Sequence, residues 1–290
     1  VEISSSMLRA TYGSLERLID RFQPDLVHFC DNPGPIAGLL KRRHPRLPFV
    51  MVKPTVAIYE GASAHAYRLF LTSSLAPADL IITYTHAARE ALVANGIDRT
   101  RIQVLPWGVP PPAPCHETTR ERIRSRYHVA GEELLVVVAP RGTLEDTGAL
   151  IGDAIEAARI LPLQFVIAVR PSLYAGVRAV LDQQEKLKTA RGKVRLENGP
   201  TDFFELLWAA DALFSNEGSR PATSLLPLTW LEAMARGTPV LTSSRPGVTD
   251  AILPGQTGLL FEPGTRPFSA FRQIIEPGVL ETLSRGALEQ

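Results

Sequence analysis

The chain has 290 residues, 45% hydrophobic and 21% charged, which suits one large globular domain or two ordinary ones and excludes disorder or a fibre. With 31 lysines and arginines against 30 acids, the net charge of +1 supplies no global field to draw in nucleic acid, which argues against a dedicated nucleic-acid binder. Cys30 and Cys115 are too few and too scattered for a disulfide framework or a zinc site, and a reducing, cytoplasmic compartment fits them. No run approaches the ~18 apolar residues of a membrane span. The chain opens on Val1-Glu2-Ile3 without a leader pattern, so it reads as an excerpt rather than a secreted precursor.

The first element is helical, with a stripe of Leu8, Tyr12, Leu15, Leu18, Ile19 and Phe22 at three-to-four spacing. Apolar runs predict strands at 25–29, 49–53, 80–83 and 102–105, with a helix at 35–43 between the first two. Pro106-Trp107-Gly108-Val109-Pro110-Pro111-Pro112-Ala113-Pro114 then stops both helix and sheet and makes a semi-rigid spacer. Further strands are predicted at 134–139, 165–169, 194–196, 212–214, 239–241 and 258–261. A second helical stripe, Leu150, Ala154, Ile155 and Ala158, lies among them. Several strands are continuously apolar, as expected where helices cover both faces of a sheet. Strand–helix alternation implies parallel, doubly wound α/β domains. The expected division is a first domain at 1–106, a linker at 107–117 and a second domain at 118–290. Because the first domain begins with a helix and offers four strands, its beginning is expected to be missing.

The second half resembles the donor-binding half of family-4 retaining glycosyltransferases, a GT-B type with two facing Rossmann-like domains. The resemblance is carried by Trp230-Leu231-Glu232-Ala233-Met234-Ala235-Arg236-Gly237-Thr238-Pro239-Val240. The upstream stretch Leu206 to Ser215, containing Asp211, and the downstream stretches Gly247 to Ile252 and Gly255 to Leu260 match in the same order. In the first half, Asp79 to Gly96 and Ile102 to Val109 look like the family's last acceptor-domain strand and its exit. The resemblance implies transfer of a sugar from a nucleotide diphosphate sugar to an acceptor hydroxyl with retained configuration, without a metal or other cofactor.

Site residues follow by position. Glu232 matches the glutamate that grips the nucleotide ribose; taken alone, it could equally be an acid complementing a helix dipole. Arg141, after the 134–139 strand, matches a phosphate-contacting arginine, with pairing to Glu145 or Asp146 as the plain alternative. Leu228 and Thr229, at the start of the predicted helix, offer phosphate contacts. Asn198 and Gly199 either meet the base or form a plain turn. Three departures stand out. Ser224 occupies the position of the family's first motif glutamate, Asp146 that of its phosphate-binding lysine, and Pro54 lies where a histidine is usual. Pro227, lacking an N–H, replaces a glycine. Glu217, Lys53, Tyr59-Glu60-Gly61 and His65 are weaker substitutes for the missing groups, and Asp31-Asn32-Pro33-Gly34 is an acceptor-facing turn.

The departures motivate a second reading, a weakened or inactive relative kept for binding; a non-hydrolysing sugar-nucleotide epimerase is a third, without motifs of its own here. The basic run Lys41, Arg42, Arg43 and Arg46 is either solvated or a weak contact for anionic lipid head groups. The donor sugar, its base and the acceptor are not legible.

Overall fold

The computed structural model describes residues 5–30, 34–140, 143–184, 190, 192–215 and 222–290. The chain forms two compact units: Val1–Trp107 with Pro221–Leu225, and Gly108–Arg220 with Leu226–Gln290.

The first unit contains α1 (Ser5–Phe22), β1 (Val27–Cys30), α2 (Pro35–Arg43), β2 (Phe49–Val52), α3 (Gly61–Leu75), β3 (Leu80–Thr83), α4 (His86–Ala94) and β4 (Ile102–Val104). Its strands form a parallel sheet in the order β1-β2-β3-β4. Phe49, Met51 and Ile81 from this sheet are buried with Ala37, Leu40, Leu71, Leu75, Ala88 and Leu92 from the helices. The α1 stripe is only partly used: Tyr12, Leu15 and Ile19 pack on the core, while Leu18 and Phe22 are exposed. Thr85 caps α4 by accepting from the Ala88 N–H at 3.0 Å.

Residues 221–225 belong to this unit although the sequence reading places them in the second domain. Ala222 bridges Ala57 in antiparallel fashion. The Thr223 N–H donates to the Val56 carbonyl at 3.0 Å, and the Val56 N–H donates to Thr223 Oγ1 at 3.0 Å. Val56, Thr223 and Ser224 are all buried.

No helix or strand occurs between Leu105 and His116. The second unit follows with α5 (Glu117–Arg126), β5 (Leu134–Val138), α6 (Leu144–Ile160), β6 (Leu163–Val169), α7 (Pro171–Asp182), β7 (Val194–Asn198), α8 (Phe203–Ala209), β8 (Ala212–Phe214), α9 (Leu228–Met234), β9 (Val240–Ser243), β10 (Gly258–Phe261), α10 (Phe268–Ile274) and α11 (Val279–Glu289). Its six parallel strands run β10-β9-β8-β5-β6-β7. β5 shows why the apolar runs are continuous: Val136 and Val138 enter one core with Ile151, Phe165 and Phe271, while Leu135 and Val137 enter the opposite one with Leu207, Trp230 and Val240.

The element order reverses direction between β5 and β8. Strands after β5 add on one side and strands from β8 onward add on the other, so the β5/β8 pair is the switch point. In open parallel sheets ligands bind beside such a point, outside the carboxyl ends of the strands.

Candidate functional site

Two residues close the carboxyl ends of β5 and β8. The Ala139 N–H donates to the Phe214 carbonyl at 3.1 Å, and buried Ser215 donates its hydroxyl to the Ala139 carbonyl at 3.1 Å. Asp211, at the other end of β8, holds the sheet from below. Its carboxylate accepts from Arg120 at 2.9 Å, Arg124 at 2.6 Å and the Leu135 N–H at 2.7 Å. Both residues of the recognised stretch therefore have structural work that the sequence did not reveal.

From the carboxyl edge the chain re-enters through Leu226 and Pro227 into α9. This helix has seven residues, and Pro227 is its N-cap rather than a first-turn residue. Glu232 is the fifth of the seven, one turn below the helix start, which corrects its expected place near the N-terminus. Its side chain is half-buried and makes no hydrogen bond or ion pair with a described residue. Such a carboxylate, near one guanidinium but without a hydrogen bond to a described residue, has acceptor capacity to offer a ligand. The Glu232 carbonyl accepts from Arg236 at 2.7 Å, and the Arg236 guanidinium lies 4.6 Å from the Phe204 ring. Burial lowers the pKa of Arg236, against the opposing charge of Glu232. Leu228 is exposed and Thr229 half-buried in the first turn. Gly237, at a φ of 76°, ends the segment, and Thr238 Oγ1 donates to the Leu207 carbonyl at 2.6 Å.

Other predicted site residues lie as follows. Ser224 is fully buried within the 221–225 segment of the first unit. Asn198 ends edge strand β7 and is exposed, while Gly199 has a φ of 54° and a Cβ there would meet Pro171 at 2.9 Å. That close approach to the start of α7 gives Gly199 a structural reason of its own. Arg141, Glu217 and Asp31 to Pro33 lie outside the described residues. Asp146 is the N3 residue of a capping box on α6: its carboxylate accepts from the Thr143 N–H at 3.0 Å, and Thr143 Oγ1 accepts from the Asp146 N–H at 3.1 Å. Tyr59 and His65 are exposed.

The basic run is only partly free to face a surface. Lys41 Nζ donates to Asp79 at 2.6 Å and to the Leu47 carbonyl at 2.8 Å. This internal tie corrects the expectation that all four cations are available; Arg42, Arg43 and Arg46 are exposed, Arg43 with Glu16 at 3.5 Å.

A cavity of about 760 Å³ within the second unit was not foreseen. Asp146, Asp153, Glu156, Ser243, Arg245 and Arg266 line it with Phe214 and Phe261. Burial pushes the Asp153 carboxyl up to about 6, against the pull of Arg266 at 4.0 Å. The described side chains predicted to bind the donor (Glu232, Leu228, Thr229 and Asn198) lie outside its lining. Among the described residues, no group of three or more His, Cys, Asp or Glu is placed to hold a metal ion, and no helix is long and apolar enough to cross a membrane.

Two Rossmann-like units, each built on a parallel sheet, define the GT-B architecture. Residues 4–108 match the family described as "Glycosyl transferase 4-like domain", and residues 185–276 match "Glycosyl transferases group 1". The chain belongs to the GT-B glycosyltransferases that combine these two domains. A glycosyltransferase from Rickettsia africae superposes with a TM-score of 0.78 at 15% identity, over 100% of this chain and 77% of that one. HepE of Anabaena, solved in complex with UDP and glucose, gives 0.71 at 16% identity over 99% and 78%. Sucrose-phosphate synthase from Thermosynechococcus elongatus gives 0.72 at 16% over 98% and 73%. No curated protein matches the chain.

Proposed function

We propose that this glycosyltransferase moves a hexosyl group from a uridine diphosphate sugar to an acceptor hydroxyl with retention of configuration. The observation that carries the reading is the half-buried Glu232 carboxylate, which sits in the field of the Arg236 guanidinium without a hydrogen bond to a described residue, one turn down a helix that begins at the carboxyl edge of the second sheet. Vicinal ribose hydroxyls are the donors such a carboxylate suits, and the first-turn amides of Leu228 and Thr229 suit phosphate oxygens. Arg141 is assigned to the diphosphate, whose departure it would stabilise electrostatically. Binding of UDP and UDP-glucose by HepE supports the choice of donor. Cys30 and Cys115 are both free thiols, in keeping with a reducing cytoplasmic setting. A weak peripheral contact with anionic lipid is retained for Arg42, Arg43 and Arg46 only.

Calorimetry with UDP-glucose, followed by an assay for released UDP, tests this. Glu232→Ala should weaken UDP binding by about 1.5–3 kcal/mol, the range for hydrogen bonds to a charged group. Unchanged affinity in a folded variant rejects the ribose assignment. The binding-only reading is favoured by the complete burial of Ser224 and the commitment of Asp146 to a helix cap. UDP-glucose binding without UDP release in the presence of acceptors would select it.

A further inference from the structure

The first unit has its own carboxyl edge, where β3 and β4 end side by side. Each of these strands is followed by an aromatic residue: Tyr84 directly after β3 and Trp107 shortly after β4. Tyr84 and Trp107 are brought together because the Leu105 N–H donates to the Thr83 carbonyl at 2.8 Å, pinning the two chain exits side by side. Their ring centroids lie 4.5 Å apart with planes inclined at 58°. Trp107 is 37% exposed and Leu105 beside it 55%. Of the three tryptophans, Trp230 is fully buried and Trp208 half-buried, so Trp107 is the one held out to solvent. Burial, and then the nearby Cys30 thiol, hold the Tyr84 phenol above its ordinary pKa, so it stays a neutral hydrogen-bonding group.

An indole exposed at the carboxyl edge of a parallel sheet, with an amphipathic ring against it, has the chemistry of a saccharide platform. Its flat apolar face matches the C–H face of a pyranose, while the phenol and indole N–H reach the ring hydroxyls. We propose that Trp107 and Tyr84 form the acceptor subsite and that the acceptor is a glycan whose terminal sugar stacks on Trp107. This rests on the transfer reading above and deepens it by naming the acceptor class. The polypeptide supports the assignment physically: Pro106 limits the backbone on one side of Trp107, so little order is lost when the ring is covered.

The test uses the full chain titrated with maltose, cellobiose and lactose, read by tryptophan fluorescence and saturation-transfer NMR, with UDP binding measured calorimetrically on the same samples. At least one disaccharide should saturate the wild-type signal. Trp107→Ala should weaken that sugar about tenfold or more, Tyr84→Ala less, and Trp107→Phe about threefold at most, with UDP affinity moving less than about twofold throughout. Circular dichroism confirms folding, and Trp107→Phe serves if the alanine variant fails to fold. The proposal is overturned if no disaccharide saturates the wild type, if Trp107→Ala and Trp107→Phe bind sugar as the wild type does, or if UDP rather than sugar loses affinity. Wild-type protein that binds no UDP rejects the donor reading; intact UDP binding with no sugar response rejects the acceptor subsite alone.

Discussion

Asp153 sits on α6 with its carboxyl largely withdrawn from water and a guanidinium 4.0 Å away, and burial outweighs that attraction. Its folded-state pKa of about 6 stands above the ordinary 3.8, so between these values the native chain holds a proton that the unfolded chain has released. Stability therefore falls as pH rises through this window, and the full cost is reached above it. Asp153→Asn should stabilise the chain by about 1–2 kcal/mol at pH 7.5, partial exposure and the lost attraction of Arg266 reducing the gain, and by almost nothing near pH 3.5. Urea denaturation at the two pH values checks this, and an equal gain at both would refute the burial account. Such a cost is tolerated most readily where the group serves a ligand, and Asp153 lines the 760 Å³ cavity. At this scale the sequence was least legible. Asp146 could be seen to replace a lysine, but only the Thr143 contacts show its carboxylate capping α6. Glu232 was visible as an acid on a helix, while its half-burial beside the Arg236 guanidinium required coordinates.

Elements were legible because their physics is local. Every predicted strand is present, shifted at its ends by two residues or fewer; β7, for example, runs two beyond the predicted end to Asn198. Short strands covered on both faces read as unbroken apolar runs, and the helix Pro35–Arg43 announces itself by a proline at its first position and basic residues at its last. What tied the elements together was less visible. Asp211 lies in a sequence of alanines and leucines, yet it joins α5 to β5 and β8 through two guanidinium groups and one amide. Asp211→Ala would leave Arg120 and Arg124, 30% and 20% exposed, facing a gap, with Glu117 at 3.9 Å from Arg120 in partial compensation. A loss of about 2–4 kcal/mol is expected, the partial exposure of the arginines moderating the penalty for a broken buried pair. Chemical denaturation against wild type measures it; a loss below about 1 kcal/mol would place the ion network among weak surface pairs.

At the scale of the molecule, the first unit is not one continuous stretch of chain. The sequence divides cleanly at the proline-dense segment, and nothing in the periodicity of Thr223-Ser224-Leu225 marks these residues as part of the unit that ended over a hundred positions earlier. Their membership rests on a backbone bridge and on Thr223, whose hydroxyl accepts the buried Val56 N–H. Leu226 follows with a φ of 53°, a left-handed conformation that costs a leucine about 1 kcal/mol or more and persists only where packing fixes it. The chain entering α9 is thus held on one side by Thr223 and on the other by the buried Leu226 side chain. Thr223→Val keeps the shape but removes the acceptor, leaving the Val56 amide buried and unpaired. That should destabilise the first unit by about 1–3 kcal/mol. Hydrogen exchange followed residue by residue should show the Val56 amide losing protection while Val136 and Val138 in the second sheet keep theirs. Equal loss across both sheets would mean that the two units unfold as one, and no loss at Val56 would mean that the 221–225 segment adds nothing to the unit it joins.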